Sequence, residues 1–305
     1  MNYLLVKIFR IAFSIIPLSF ARKIGYYLGY LSSYMFKREI KIAQTQINTF
    51  AKRLNINPED SIHVTRKVFA NIGISFVESL FTKKILKVVP PQVTIDNPAA
   101  LDKLIKGGGI VISAHYGSFE LLASFYCNLS NNIYITAREA NYKLLDTFVK
   151  QLREEYGGKL VWRSIKGGEK TLLKAIKNKH IISCLIDQDI MMENNFYDFM
   201  GLKCAYPSGL VQLATNKKLP IYVSIIQRQP DFTHKISLEE INYDHQSSNA
   251  IDQVIMQYSK ILESKIRETP EQWIWWHRRW RRLEGEEHVR STNEYLEWLK
   301  TLNIS

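Results

Sequence analysis

The rhythm of apolar and polar positions changes twice along the chain. Over residues 1–36 Leu, Ile, Phe and Tyr dominate, but Lys7, Arg10, Arg22 and Lys23 cut the segment into uncharged runs at 11–21 and 24–36. Neither run reaches the roughly 20 apolar residues that a bilayer-crossing helix needs. From 37 to about 85, apolar positions such as Ala43, Ile47, Phe50 and Leu54 recur at helical spacing, and Asn57-Pro58 punctuates the run. Past Pro90-Pro91 the period shortens: β-branched runs at 109–114, 132–138, 159–163, 180–186, 220–227 and 234–238 predict strands. Helical stretches at 120–127, 142–155, 169–178 and 208–216 lie between them. Strand-helix alternation of this kind predicts an α/β fold with a largely parallel sheet flanked by helices, preceded by an N-terminal helical segment. The expected division is a segment over 1–36 and a domain over 37–305, with a helical lead-in to about 85 and an α/β core over about 88–282.

Composition narrows the N-terminal reading. The residue pattern around Ser19-Phe20-Ala21 has a small-x-small form, yet Arg22-Lys23 and a second apolar run follow it, which disfavours a signal peptide. A cationic, aromatic-rich segment suits a membrane-associated interfacial anchor, its Lys and Arg snorkelling to headgroups; the alternative is a pair of core helices. Pro17 would kink or divide such a helix. The 41 basic and 29 acidic residues leave a net charge of +12, which attracts an acidic partner: nucleic acid, anionic lipid or an acidic protein. Cys127, Cys184 and Cys204 form no CxxC pair and fit a reducing compartment. Seven scattered histidines give no metal-ligand spacing, so neither a metal nor a cofactor is expected.

In open α/β sheets ligands sit beyond the carboxyl ends of the strands. Residues following the predicted strands are His115, then Arg138, then Arg163, then Asp187, Gln188 and Asp189. The sharpest pattern is Ser113-Ala114-His115-Tyr116-Gly117-Ser118-Phe119-Glu120. On one uninterrupted helix a five-residue separation turns His115 and Glu120 about 140° apart. With His115 ending a strand, Gly117 turning the chain and Ser118 capping a helix from Phe119, the Glu120 carboxylate is expected to fold back toward the imidazole. His115 is then a general base oriented by Glu120; on spacing alone, a satisfied structural histidine fits too. Gly107-Gly108-Gly109 is expected to end a helix and Gly167-Gly168 to open one; neither is a nucleotide fingerprint.

The His115-x4-Glu120 motif after a Gly-rich strand resembles the HX4D/E signature of the glycerolipid acyltransferase superfamily. With Asp187-Gln188-Asp189, Phe199-Met200-Gly201, Pro207-Ser208-Gly209 and the Trp-rich stretch from Pro270 to Trp280, the chain resembles the bacterial lipid A biosynthesis (late) acyltransferase branch over about 108–282. That resemblance implies direct transfer of a fatty acyl group from a thioester donor, acyl carrier protein, to a hydroxyl of a membrane-embedded lipid A precursor, on the cytoplasmic face of the inner membrane. It implies His115 and Glu120 as the catalytic pair. It further implies substrate binding by Arg138, Arg153, Arg163, Asp187, Gln188, Asp189, Ser208, Arg278 and Arg279, and oxyanion donors at Gly117 or Arg153. A lysophospholipid or another glycolipid is the alternative acceptor. A basic lipid- or nucleic-acid-binding protein without catalysis is the alternative of another kind, carried by the Trp/Arg cluster over 273–282 and weakened by the absence of a nucleic-acid module motif.

Overall fold

A computed structural model describes residues 16–89, 91–130, 132–137, 143–162, 167–191, 195–286, 288–302 and 304. The helical lead-in consists of α1 (Leu18–Met35), α2 (Lys37–Thr49), α3 (Ala51–Leu54), α4 (Ser61–Leu80) and α5 (Thr82–Lys87). The break at Asn57-Pro58 is present as a 3₁₀ turn over Pro58–Asp60. Helix α1 starts directly after Pro17, where a fixed φ and a missing N–H do no harm. It crosses α4 at backbone contact distance: a Cβ on Gly29 would lie 2.3 Å from the Phe69 carbonyl, and one on Gly73 2.0 Å from the Gly25 carbonyl. The inner face of α1 is therefore seated in the body of the protein. Its outer face leaves Phe20, Tyr27, Leu28, Leu31, Tyr34 and Met35 exposed.

The remaining elements are β1 (Val93–Ile95), α6 (Pro98–Gly107), β2 (Gly109–Ser113), α7 (Phe119–Leu129), β3 (Ile133–Ala137), α8 (Lys143–Glu155), β4 (Lys159–Trp162), α9 (Gly168–Lys177), β5 (Ile181–Leu185), β6 (Asn195–Phe199), β7 (Leu202–Tyr206), α10 (Gly209–Asn216), β8 (Ile221–Arg228), β9 (His234–Glu240), α11 (Ala250–Glu268) and α12 (Thr292–Thr301). Seven strands form one sheet in the order β1-β9-β8-β2-β5-β3-β4. Every pairing is parallel except β8 with β9. This agrees with the expected α/β class. All six strands predicted from β-branched runs are present, and the glycine stretches end α6 and open α9 as expected.

Strand β2 is buried along its whole length, as a central parallel strand covered on both faces must be. Ile110 and Ile112 face a core that includes Tyr258 of α11 and Trp273, Trp275 and Trp280. Val111 faces the opposite core with Leu121, Tyr222 and Ile236. Two features lay outside the sequence expectation. Strand β1 adds an edge to the sheet, and β6 and β7 form an antiparallel hairpin of their own. The hairpin turn uses Met200 and Gly201 at φ +55° and +82°, both positive as a type I′ connection requires.

No helix among the described residues is long and apolar enough to cross a membrane. Arg22 does not snorkel. It is buried, its Nε donating to Glu78 Oε1 at 2.9 Å.

Candidate active site

The site is built by the register of two parallel strands. Ser113 of β2 pairs with Leu185 of β5, so residues two places further on, His115 and Asp187, emerge side by side. His115 Nδ1 lies 2.8 Å from Asp187 Oδ1, while the His115 backbone N–H donates to Asp187 Oδ2 at 3.0 Å. The indole Nε1–H of Trp273 also donates to Oδ2, at 3.0 Å. Asp187 is 1% exposed. Burial pushes its carboxyl pKa up, but the facing imidazole and these three N–H donors outweigh it and hold the group below the usual carboxylate range. The imidazole is 24% exposed, and Nε2 has no hydrogen-bond partner among the described residues. Phe119 packs edge-on against the ring, 5.1 Å between centroids.

The turn after His115 is fastened on several sides. Gly117 sits at φ +56°, and a Cβ there would lie 2.1 Å from the Ile226 carbonyl. Its N–H donates to the Gln272 carbonyl at 2.8 Å, and the Ile274 N–H donates to the His115 carbonyl at 3.2 Å. The Trp-rich segment is thus the floor of the site. Trp275 donates to the Pro270 carbonyl, and Trp280 stacks against Phe50 and Phe199. Behind Asp187 lies His277, whose ring is lowered to about 4 by burial and by the neighbouring Arg281 and Arg279, and is therefore neutral near pH 7.

Several expectations need correction. Glu120 does not orient His115. It stands in the first turn of α7, and its two oxygens accept from Arg153 Nε at 3.0 Å and Nη2 at 2.8 Å. Arg153 lies in the last turn of α8, so an acid at a helix start meets a base at a helix end, the arrangement both macrodipoles favour. Arg153 is 8% exposed and gives its Nε and Nη2 hydrogens to Glu120. The Gly117 N–H is likewise taken by Gln272. Ser118 holds the N-cap position of α7 but makes no side-chain cap bond; its hydroxyl turns instead toward Glu78.

Asp187 is held by His115 and Trp273. Asp189 is also buried, its carboxylate held by Arg281 and Arg282. Arg279 is buried beneath the hairpin, donating to the Ala205 carbonyl and stacking 4.1 Å from the Tyr206 ring centre. Arg278 donates to the Arg290 carbonyl at 2.7 Å. Gln188 is half-buried beside the pair, and Ser208 is the buried N-cap residue of α10. Arg138 and Arg163 lie outside the described residues. Trp273, Gln272 and Glu78 carry contacts to the site that spacing could not show, because each acts from more than 35 positions away in the chain.

A sequence model of the family described as bacterial lipid A biosynthesis acyltransferase matches residues 1–282. No curated protein matches the chain.

Proposed function

The chain belongs to the bacterial lipid A biosynthesis acyltransferase family and is an acyltransferase acting on lipid A; from that premise we propose that His115 Nε2 is the general base for direct acyl transfer, with Asp187 as the group that orients and charges it. The observation that carries this reading is the buried Asp187 carboxylate on Nδ1, which leaves Nε2 unpartnered at a half-open surface. An acceptor hydroxyl attacks the thioester carbonyl and surrenders its proton to Nε2 as the C–O bond forms. The imidazolium so produced faces a carboxylate at 2.8 Å, which favours the charged ring. Collapse of the tetrahedral adduct breaks the C–S bond, and the thiolate takes the proton from His115, which restores the neutral ring.

The oxyanion requires donors, and the first N–H groups of α7 are the candidates. The opening turn of a helix has N–H groups without intrahelical partners and carries the positive end of the macrodipole. We assign this role to Ser118 and Phe119, beside the histidine. Glu120 and Arg153 then act as the clamp that joins the start of α7 to the end of α8.

Acyl carrier protein as donor is supported by charge: a +12 chain suits an acidic carrier better than a neutral one. Residues 1–36 serve as the interfacial segment of the acyltransferase domain over 37–305, and the apolar outer face of α1 supports a seat on the cytoplasmic leaflet of the inner membrane. The test is to incubate the purified full chain with acyl carrier protein thioester and a lipid A precursor in mixed micelles. Mass spectrometry should find the acceptor heavier by one acyl group. A lipid A precursor left unmodified, with a lysophospholipid acylated instead, would overturn the acceptor assignment.

A further inference from the structure

Behind the His115 turn lies a buried charged cluster that the mechanism above does not use. Glu78 of α4 has no exposed surface. Its Oε1 accepts from Arg22 of α1 at 2.9 Å, and its Oε2 accepts from Nε of Arg228, at the end of β8, at 3.1 Å. The ring of His234 stands 3.1 Å from Oε2. Such a cluster is an expensive way to join helices and a sheet, because apolar residues of similar volume do the same without desolvating charges. Its neutral ends point to another use. Ser118 donates to Glu78 Oε2 and accepts from Arg228 Nη2 at 2.7 Å. Ser75 accepts from the same Nη2 at 2.7 Å, and its single hydroxyl proton is shared between the Gly117 carbonyl at 3.1 Å and the Asn71 carbonyl of its own helix at 2.9 Å. The Arg228 backbone is gripped on both sides by the Gln272 side chain, at 2.9 and 2.8 Å, while the Gln272 carbonyl holds the Gly117 N–H.

We propose that Glu78 and Arg228 are positioning residues for the acyl transfer, acting through Ser118 and Ser75 to fix the Gly117–Ser118 turn between His115 and the first N–H groups of α7. This inference rests on the reading of His115 as the base. The turn sets the distance between that base and the oxyanion donors, and no other described side chain holds its Ser118 end. Arg22 extends the cluster to α1 and ties the helix with the apolar outer face to the same carboxylate. A looser turn would still bind donor and acceptor, but it would misplace the base relative to the carbonyl. Displacements of about 1 Å at such points cost roughly 10²-fold in rate.

The test severs the links to the turn and leaves Glu78 with its arginines. Ser75→Ala and Ser118→Ala, singly and together, are made in the full chain and assayed with carrier thioester and lipid acceptor beside His115→Ala. Ser75 lies within a helix, where alanine is well tolerated, so that variant reads the link even if Ser118→Ala does not fold. The expected result is a kcat lowered about 10- to 100-fold in the double variant, with KM for both substrates close to the parent's, assayed well below a melting temperature that falls because Arg228 Nη2 loses two acceptors. Parental kcat in the folded variants, or a KM effect alone, would overturn the positioning role. These outcomes are separable from failure of the base assignment, which would appear as turnover by His115→Ala whatever the serines do.

Discussion

Replacing Asp187 by Asn is nearly isosteric, yet the hydrogen-bond directions around it make the outcome specific. In the parent, Oδ2 accepts from two fixed donors, the His115 N–H and the Trp273 indole N–H, while Oδ1 faces His115 Nδ1. An amide can satisfy both fixed donors only by placing its oxygen in the Oδ2 position. Its NH2 group then points at Nδ1, which must become an acceptor, and the ring proton moves to Nε2. A ring protonated at Nε2 cannot accept the acceptor's proton. The imidazolium would also lose its buried counter-charge. The equivalent change behind a catalytic histidine in a hydrolase triad costs about 10⁴-fold through the same tautomer effect, so Asp187→Asn should lower kcat by about 10³- to 10⁴-fold, or roughly 4–5.5 kcal/mol of barrier. Because all three contacts persist in altered form, the melting temperature should move little and KM should hold. The assay is initial-rate acyl transfer with purified carrier thioester and lipid acceptor, together with thermal unfolding followed by circular dichroism. Turnover within about threefold of the parent would refute the reasoning. So would a Glu120→Gln variant that loses rate with intact stability while Asp187→Asn does not.

Other expectations follow from the same contacts. Glu120→Gln leaves the partly buried Arg153 without its counter-charge, so it should destabilise by roughly 3 kcal/mol, and Arg153→Met combined with it should recover part of the loss in denaturant titrations. Gly117→Ala adds a Cβ 2.1 Å from the Ile226 carbonyl at φ +56°; it should abolish turnover and lower the melting temperature, and near-parental values for both would contradict the tight turn. His277 is depressed to about 4 against an unfolded value near 6.5, so its neutral form contributes stability that is full above about pH 6.5 and is lost as pH falls toward 4. The loss should be on the order of 2–3 kcal/mol, visible as a falling melting temperature over that window that His277→Gln flattens. Substituting Leu28 and Leu31 by Gln on the exposed face of α1 should weaken partitioning to anionic vesicles with little change in thermal stability, and unchanged partitioning would remove that face from the membrane contact.

The strands were legible because a parallel sheet covered on both faces demands apolar, β-branched runs such as the one over Gly109–Ser113. Their spatial order was not, and the partner of His115 depended on it. Asp187 is 72 positions from His115 and meets it only because Ser113 pairs with Leu185. Glu120, five positions away, looked nearer in sequence, but the direction of α7 carries it to Arg153. The Trp-rich segment stood out by composition, whereas the role of Trp273 needed the isolated bridge between it and Tyr116. Glu78 gave no signal at all, since one acid within a helical stretch reads as a solvated face until the fold buries it. Arg22 misled for the opposite reason: a cation in an apolar segment suggested headgroups, and the structure supplies a carboxylate. The hairpin was hidden by Met200, a residue type that rarely takes the left-handed conformation its turn requires.

Single-turnover acyl transfer by His115→Ala, measured beside the parent with the acylated acceptor detected by mass spectrometry, bears most directly on the account. The substitution removes the proposed base at a half-open position and leaves Asp187 its bonds from the His115 backbone N–H and from Trp273, so the variant should fold and bind both substrates. The account predicts that the transfer step slows by at least about 10²- to 10⁴-fold, the range of general-base catalysis. A folded His115→Ala protein that forms the acylated lipid at the parental rate would contradict it.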